Sequence, residues 1–230
     1  MRYFQRQALF PAIQEQLSGK TTQVFLLSKS QRKEVVKQLM DSQKELCCYC
    51  ECRIFVKDAQ TRINGYHIEH FEEQHEAPDR IFDYENMLLS CEGNKNLTNS
   101  ENQAQIPTSC GQGKEKDRHK GDKIDYDLLL NPINNVSALF SYLDGVIEPT
   151  LQCSDIQKRQ VEYTIKRLNL DVERLTEARR SQINLILKQL NDLSEGDQRT
   201  FIRSLLDETQ AVLNPYFSTI KDNFGFMLLP

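Results

Sequence analysis

Cys47-Cys48-Tyr49-Cys50-Glu51, then His67-Ile68-Glu69-His70-Phe71, then Asn86-Met87-Leu88-Leu89-Ser90-Cys91 and finally Cys110 decide how this chain is read. Six of the seven cysteines and all four histidines fall between Cys47 and His119. Thiolates, imidazoles and a carboxylate crowded in that order point to a structural metal knuckle beside a second, reactive site.

The cysteines come first. Cys47 and Cys50 have the spacing at which two thiolates on one turn reach the same zinc ion, and Cys91 and Cys110 complete an all-thiolate tetrahedron. A closed Zn2+ site of this kind contributes on the order of 10 kcal/mol to folding. The long insert between Cys91 and Cys110 is tolerable because closure entropy rises slowly with loop length. Cys48, Cys52 and Cys153 are expected to be spare thiols.

Glu69 and His70 carry the reactive chemistry in this reading. Successive strand side chains point to opposite faces, so serving one site requires the strand to bend or end there. Glu69 then holds a hard divalent cation, Mg2+ or Mn2+, through oxygen. His70, with an unperturbed pKa near 6.5, takes a proton from an attacking water. Asn86 opens the return strand and either orients the imidazole or braces the loop. His67 shares the strand face of Glu69 and is a candidate substrate contact or ligand, or else a packing residue. His75 sits in an acidic loop and reads as surface.

The flanks are simpler. Residues 1–46 read as a helical lead-in, with a short helix from Pro11 to Gly19 and a second one capped by Ser30 that carries Val35, Val36 and Leu39. Arg53-Ile54-Phe55-Val56 reads as a short strand and Asn64-Gly65 as a hairpin turn. From Gly111 to Lys120 the chain carries four basic residues against two acidic ones, a phosphate-friendly helix or a solvated helix face. Residues 126–230 read as a helical region. Its stripes Val161, Ile165, Leu168, then Ile183, Ile186, Leu187, Leu190, then Phe201, Leu205, Val212 suggest a bundle packing on itself. The tail from Phe224 to Pro230 either docks on the core or serves as a peg. The resulting division is 1–46, 47–125 and 126–230, in an α+β and mostly helical fold.

Composition sets outer limits. No run approaches the roughly 18 apolar residues of a membrane span, and the N-terminal residues lack a signal-type apolar stretch, so a cytoplasmic protein with reduced thiols is expected. A net charge of −4 argues against a strong unaided grip on nucleic acid, where cationic side chains supply most non-specific affinity.

The series C-x-Y-C-E, I-E-H-F, N-x-L-L-S-C and a later Cys followed by a basic segment resembles the HNH endonucleases of the zinc-knuckle ββα-metal type. More narrowly it is similar to the PtuB family, the HNH component of Septu anti-phage systems that is also an effector in some retrons. The motifs span about residues 47–125. The resemblance implies a ββα-metal nuclease core with Glu69 as cation ligand, His70 as general base and Asn86 as supporting residue. It further implies a nucleic-acid substrate, a PtuA-like ATPase partner and, in retrons, a reverse transcriptase with its RNA–DNA product. Many family members follow the last cysteine with Asn or His as a ligand, and here Gly111 stands in that place. His119 is then the expected third catalytic group, with Lys114 as a phosphate contact.

Two other readings compete. A non-catalytic zinc module that holds a partner or nucleic acid suits the acidic charge and the missing ligand after Cys110. A single zinc site of Cys47, Cys50, His67 and His70 needs an unusually short His-x2-His spacing and strands Glu69.

Overall fold

The computed structural model describes residues 1–2, 4, 14–15, 27–54, 65–93, 107–117 and 122–229. The chain is α+β, with helices around two small two-stranded sheets. The expected helix from Pro11 to Gly19 falls mostly outside the described residues. So do Phe55 and Val56 of the expected strand, Asn64 of the expected turn, and His119.

Helix α1 spans Lys29–Gln43 and begins two residues earlier than Ser30 implied. Ser28 is the N-cap: its hydroxyl accepts from the Gln31 amide, and the Gln31 side chain accepts in return from the Ser28 amide. This reciprocal box satisfies two orphan donors at once, and Ser30 has no equivalent partner three residues on. Val35, Val36 and Leu39 are buried as expected. The helix stops where Lys44 turns left-handed. Gln43 is buried beside it and binds both the amide and the carbonyl of Leu89 at 2.8 and 2.9 Å. One side chain thereby fastens the helix to a distant strand.

Leu46 and Arg53 then pair as an isolated antiparallel bridge that closes a tight turn over Cys47 to Cys52. Strands β1 (Tyr66–His70) and β2 (Met87–Cys91) form an antiparallel hairpin in which Tyr66 faces Cys91 and His70 faces Met87. Every β2 residue is buried, which explains its continuous apolar reading. Helix α2 spans Cys110–Asp117, starting at the cysteine and running through Gly111 and Gly113.

Strands β3 (Phe140–Ser141) and β4 (Glu148–Pro149) make the second, minimal sheet. Helices α3 (Asp155–Arg167), α4 (Glu173–Asn191), α5 (Glu195–Leu205) and α6 (Phe217–Phe224) follow. They are not one self-contained bundle. Val161, Ile165 and Leu168 are buried in the same core as Tyr49, Met87, Leu88 and Cys110. Only the end of α4 packs with α5 and α6, around Ile186, Leu190, Ile202, Ile220 and Phe224. Leu187 and Val212 are exposed, so neither joins the predicted stripes. In the tail, Met227 and Leu228 dock on that second core while Phe226 points out. Among the described residues no helix is long and apolar enough to cross a membrane.

Candidate metal centre and the adjoining polar cluster

Cys47, Cys50, Cys91 and Cys110 converge. All four are buried, and their sulfur atoms lie within 4.8 Å of one another. Thiolates about 2.3 Å from a tetrahedral zinc sit about 3.8 Å apart, and the Cys50 and Cys91 sulfurs are separated by 3.8 Å. The quartet could therefore hold a metal ion such as zinc, with all four positions filled by protein and none open for substrate.

Local backbone makes this possible. Within the first turn the Cys47 amide donates to the Cys52 carbonyl at 2.9 Å and the Glu51 amide to the Cys47 carbonyl at 3.1 Å, with Glu51 at φ 63°. The two remaining ligands come from the ends of the insert. Gly93 (φ +53°) lies so close to Ser109 that a Cβ there would stand 2.2 Å from the Ser109 carbonyl oxygen. The Ser109 amide bonds back to Gly93 at 3.2 Å, and the Cys110 amide to the Leu168 carbonyl at 2.7 Å. Cys91 and Cys110 are thus neighbours however long the intervening chain.

Around the sulfurs, the Cys91 amide donates to Cys47 Sγ at 3.4 Å and the Ser109 hydroxyl to Cys110 Sγ at 3.5 Å. Such outer donors orient ligands and stabilise thiolate charge. Burial pushes the Cys47 thiol up, but hydrogen bonds from neighbouring thiols, Cys110 first, bring it well below its usual value. The same Cys110 contact holds Cys50 down to about 5. Cys110 is correspondingly pushed up, chiefly by Cys47. Two sulfurs thus already favour the thiolate form that a metal requires.

Beside the quartet lies a second polar cluster around Glu69. Glu69 is 3% exposed, and its carboxylate is engaged on both oxygens. Oε1 meets the Lys114 ammonium and accepts from the Tyr49 hydroxyl at 3.3 Å, while Oε2 is 3.3 Å from His67 Nε2. Burial works to raise the Glu69 pKa, but Lys114 and His67 outweigh it and hold it at about 2. At His67 burial lowers the pKa and Glu69 more than reverses it. Gly111 packs directly on this pair. A Cβ at that position would stand 2.4 Å from Glu69 Oε2 and 2.7 Å from His67 Nε2.

Lys114 was expected to reach phosphate. Instead it turns inward and is 1% exposed. Besides Glu69 its ammonium donates to the His70 and Phe71 carbonyls, at 2.6 and 3.1 Å, so its three donors are spent inside the protein. An ammonium against the carboxylate is a poor fit for Glu69 as a cation ligand, because a divalent ion there would face a positive charge at contact distance.

His70 engages different partners. Its Nε2 hydrogen-bonds the Ile81 carbonyl at 2.9 Å, and its Nδ1 is 3.2 Å from the Gln74 side-chain amide nitrogen. A carbonyl only accepts and an amide nitrogen only donates, so the neutral ring carries its proton on Nε2 and a lone pair on Nδ1. Burial lowers the His70 pKa, with the Ile81 bond opposing. Glu69 and His70 therefore lie together in sequence but face opposite sides of β1.

Asn86 braces the loop, the second of its two expected roles. Its Oδ1 accepts from the Glu72 amide at 2.8 Å, and its Nδ2 donates to the Glu72 and Arg80 carbonyls at 2.9 and 3.3 Å. The imidazole is oriented by Ile81. His67 and His70 bind Glu69 and Ile81 and belong to no metal group with Cys47 and Cys50, so the mixed two-thiolate, two-imidazole site is not formed.

Sequence reasoning did not single out Gln74, which meets His70, or Tyr49, which lies between two ligands and reaches Glu69. Only the Gly after Cys110, at the head of a helix, hinted at a close approach. No family model matches the chain, and no curated protein matches it.

Proposed function

We propose that this chain is a metal-dependent endonuclease of the HNH type, with the quartet Cys47, Cys50, Cys91 and Cys110 as a structural Zn2+ site. The observation that carries the reading is the state of His70. Its proton is held on Nε2 by the Ile81 carbonyl, its Nδ1 lone pair faces the side-chain amide of the exposed Gln74, and burial favours the neutral ring. These are the requirements of a general base near neutral pH. A water replacing the Gln74 amide at Nδ1 gives up its proton to His70 and attacks phosphorus, the ester P–O bond breaks, and the leaving sugar oxygen takes up a proton from solvent. Asn86 keeps the loop bearing Ile81 in place, so the ring does not rotate away. The hairpin followed by a helix, both pinned to a cysteine turn, supports the ββα-metal assignment.

Mg2+ or Mn2+ bound in such a site stabilises charge on phosphoryl oxygens. Glu69, paired with Lys114, does not offer that position. The substrate is nucleic acid, DNA or RNA. A PtuA-like ATPase, and in a retron setting the reverse transcriptase with its RNA–DNA product, would supply the grip that a net charge of −4 does not.

One observation favours a second reading, a non-catalytic zinc adaptor that binds a partner or nucleic acid. Glu69 is locked by Lys114, and both His70 nitrogens have partners within the protein. The experiment is expression with and without the genomic neighbours, followed by end-mapping of total DNA and RNA for wild type and His70→Ala. Loss of cleavage in a folded, zinc-loaded His70→Ala protein supports the nuclease. Equal cleavage by His70→Ala, or no turnover by the assembled wild type with any divalent metal, sinks it.

A further inference from the structure

Outside both clusters, the segment following β1 gathers three more metal-ligating side chains. We propose that Glu73, His75 and Glu76 form a binding site for a divalent transition-metal cation, separate from the cysteine quartet. One ligand atom from each of the three lies within 4.8 Å of the others. His75 Nδ1 is 3.5 Å from Glu73 Oε2, and His75 Nε2 is 3.8 Å from Glu76 Oε1. The backbone accounts for the convergence. The Glu76 and Ala77 amides both bond to the Glu73 carbonyl at 2.9 Å, wrapping the segment into a turn, and the Glu73 amide donates to the Tyr126 hydroxyl at 2.9 Å.

Room for an ion is present as well. A cavity of about 540 Å³ opens beside the turn, lined by Glu72, His75, Glu76, Lys123, Ile124 and Tyr126. It is lined by two of the three ligands, His75 and Glu76, and has room for a cation that keeps several waters. Glu73 is buried while His75 and Glu76 are exposed, so one ligand is fixed and two can adjust. Two carboxylates and a neutral imidazole match the donor preferences of Mn2+, Co2+ or Zn2+ better than those of Mg2+ or Ca2+, which prefer oxygen throughout. An imidazole ligates a metal only through a neutral ring nitrogen, so both His75 nitrogens, each facing one of the two acids, are chemically competent donors.

The site brackets Gln74, whose amide meets His70 Nδ1. An ion there would stiffen the short stretch that carries this contact. The proposal does not depend on the nuclease reading, because it is read out by binding alone.

The test titrates the full-length, zinc-loaded protein with Mn2+ and counts free ion by electron paramagnetic resonance. Wild type should bind one Mn2+ per chain. His75→Ala and Glu76→Gln change exposed side chains and should each weaken binding at least tenfold, with zinc content and Tm unchanged. Two results would overturn the proposal: no Mn2+ bound by wild type below millimolar concentration, or equal binding by wild type and both variants.

Discussion

Lys114 and Glu69 form a buried ion pair, with side chains only 1% and 4% exposed, that ties helix α2, which starts at Cys110, to β1. Charges removed from water this way are stable only together. Breaking such a pair by removing one partner costs about 3–5 kcal/mol, whereas replacing both with apolar groups can be neutral. Lys114→Met should therefore lose about 3–5 kcal/mol in urea denaturation, and Lys114→Met with Glu69→Leu should recover most of it. Strictly additive losses would mean the two residues are not coupled.

The same pair predicts an acid response. The Glu69 pKa is about 2 in the folded protein against 4.5 ordinarily. Because the folded value is the lower one, its contribution is complete above about pH 4.5 and disappears as pH falls toward 2. Over that window wild type should lose up to about 1.4 kcal/mol per pH unit more than the double variant. Protonation of the cysteine ligands affects both proteins and cancels in the difference. Parallel pH profiles would contradict the assignment.

Gly111 should accept no side chain. A methyl group there meets Glu69 Oε2 at 2.4 Å and His67 Nε2 at 2.7 Å, and overpacking of this kind costs about 1–3 kcal/mol. Gly196 on α5 has nothing within 4 Å of its would-be Cβ, so Gly196→Ala should stabilise by up to about 1 kcal/mol. Thermal melts of the two variants should shift in opposite directions. A neutral Gly111→Ala would show that the pair has space to move.

For the metal centre, Cys50→Ser should abolish stoichiometric zinc, measured by elemental analysis, and lower Tm together with it. Cys153→Ser lies outside the quartet and should leave both unchanged. Full zinc content in Cys50→Ser would remove Cys50 from the ligand set.

Much of the chemistry was legible in order and spacing. The Cys47–Cys50 pair reads as one turn because a two-residue gap leaves few ways to place both thiols apart. Val35, Val36 and Leu39 read as a buried helix face because the helical period puts them there. The cap falls at Ser28 and not at Ser30 because two serines, two residues apart, compete for the role and only Ser28 has a glutamine, Gln31, three residues on. The C-terminal stripes were read correctly as buried for Val161 and Ile165 but assigned to the wrong neighbour, since periodicity marks a face and does not name what covers it.

Residue identity and near spacing alone settled that Cys47 and Cys50 lie on one turn, and the two-residue period of a strand sets Glu69 and His70 on opposite faces unless the strand bends. Folding in three dimensions decided the rest. It brought Cys91 beside Cys110 through the contact of Gly93 with Ser109, turned Lys114 inward onto Glu69, and aimed His70 at the Ile81 carbonyl. Such outcomes depend on segments far apart in the chain meeting at ångström distances. A long side chain takes the direction that satisfies its charge and donors, and those partners exist only once the chain has packed.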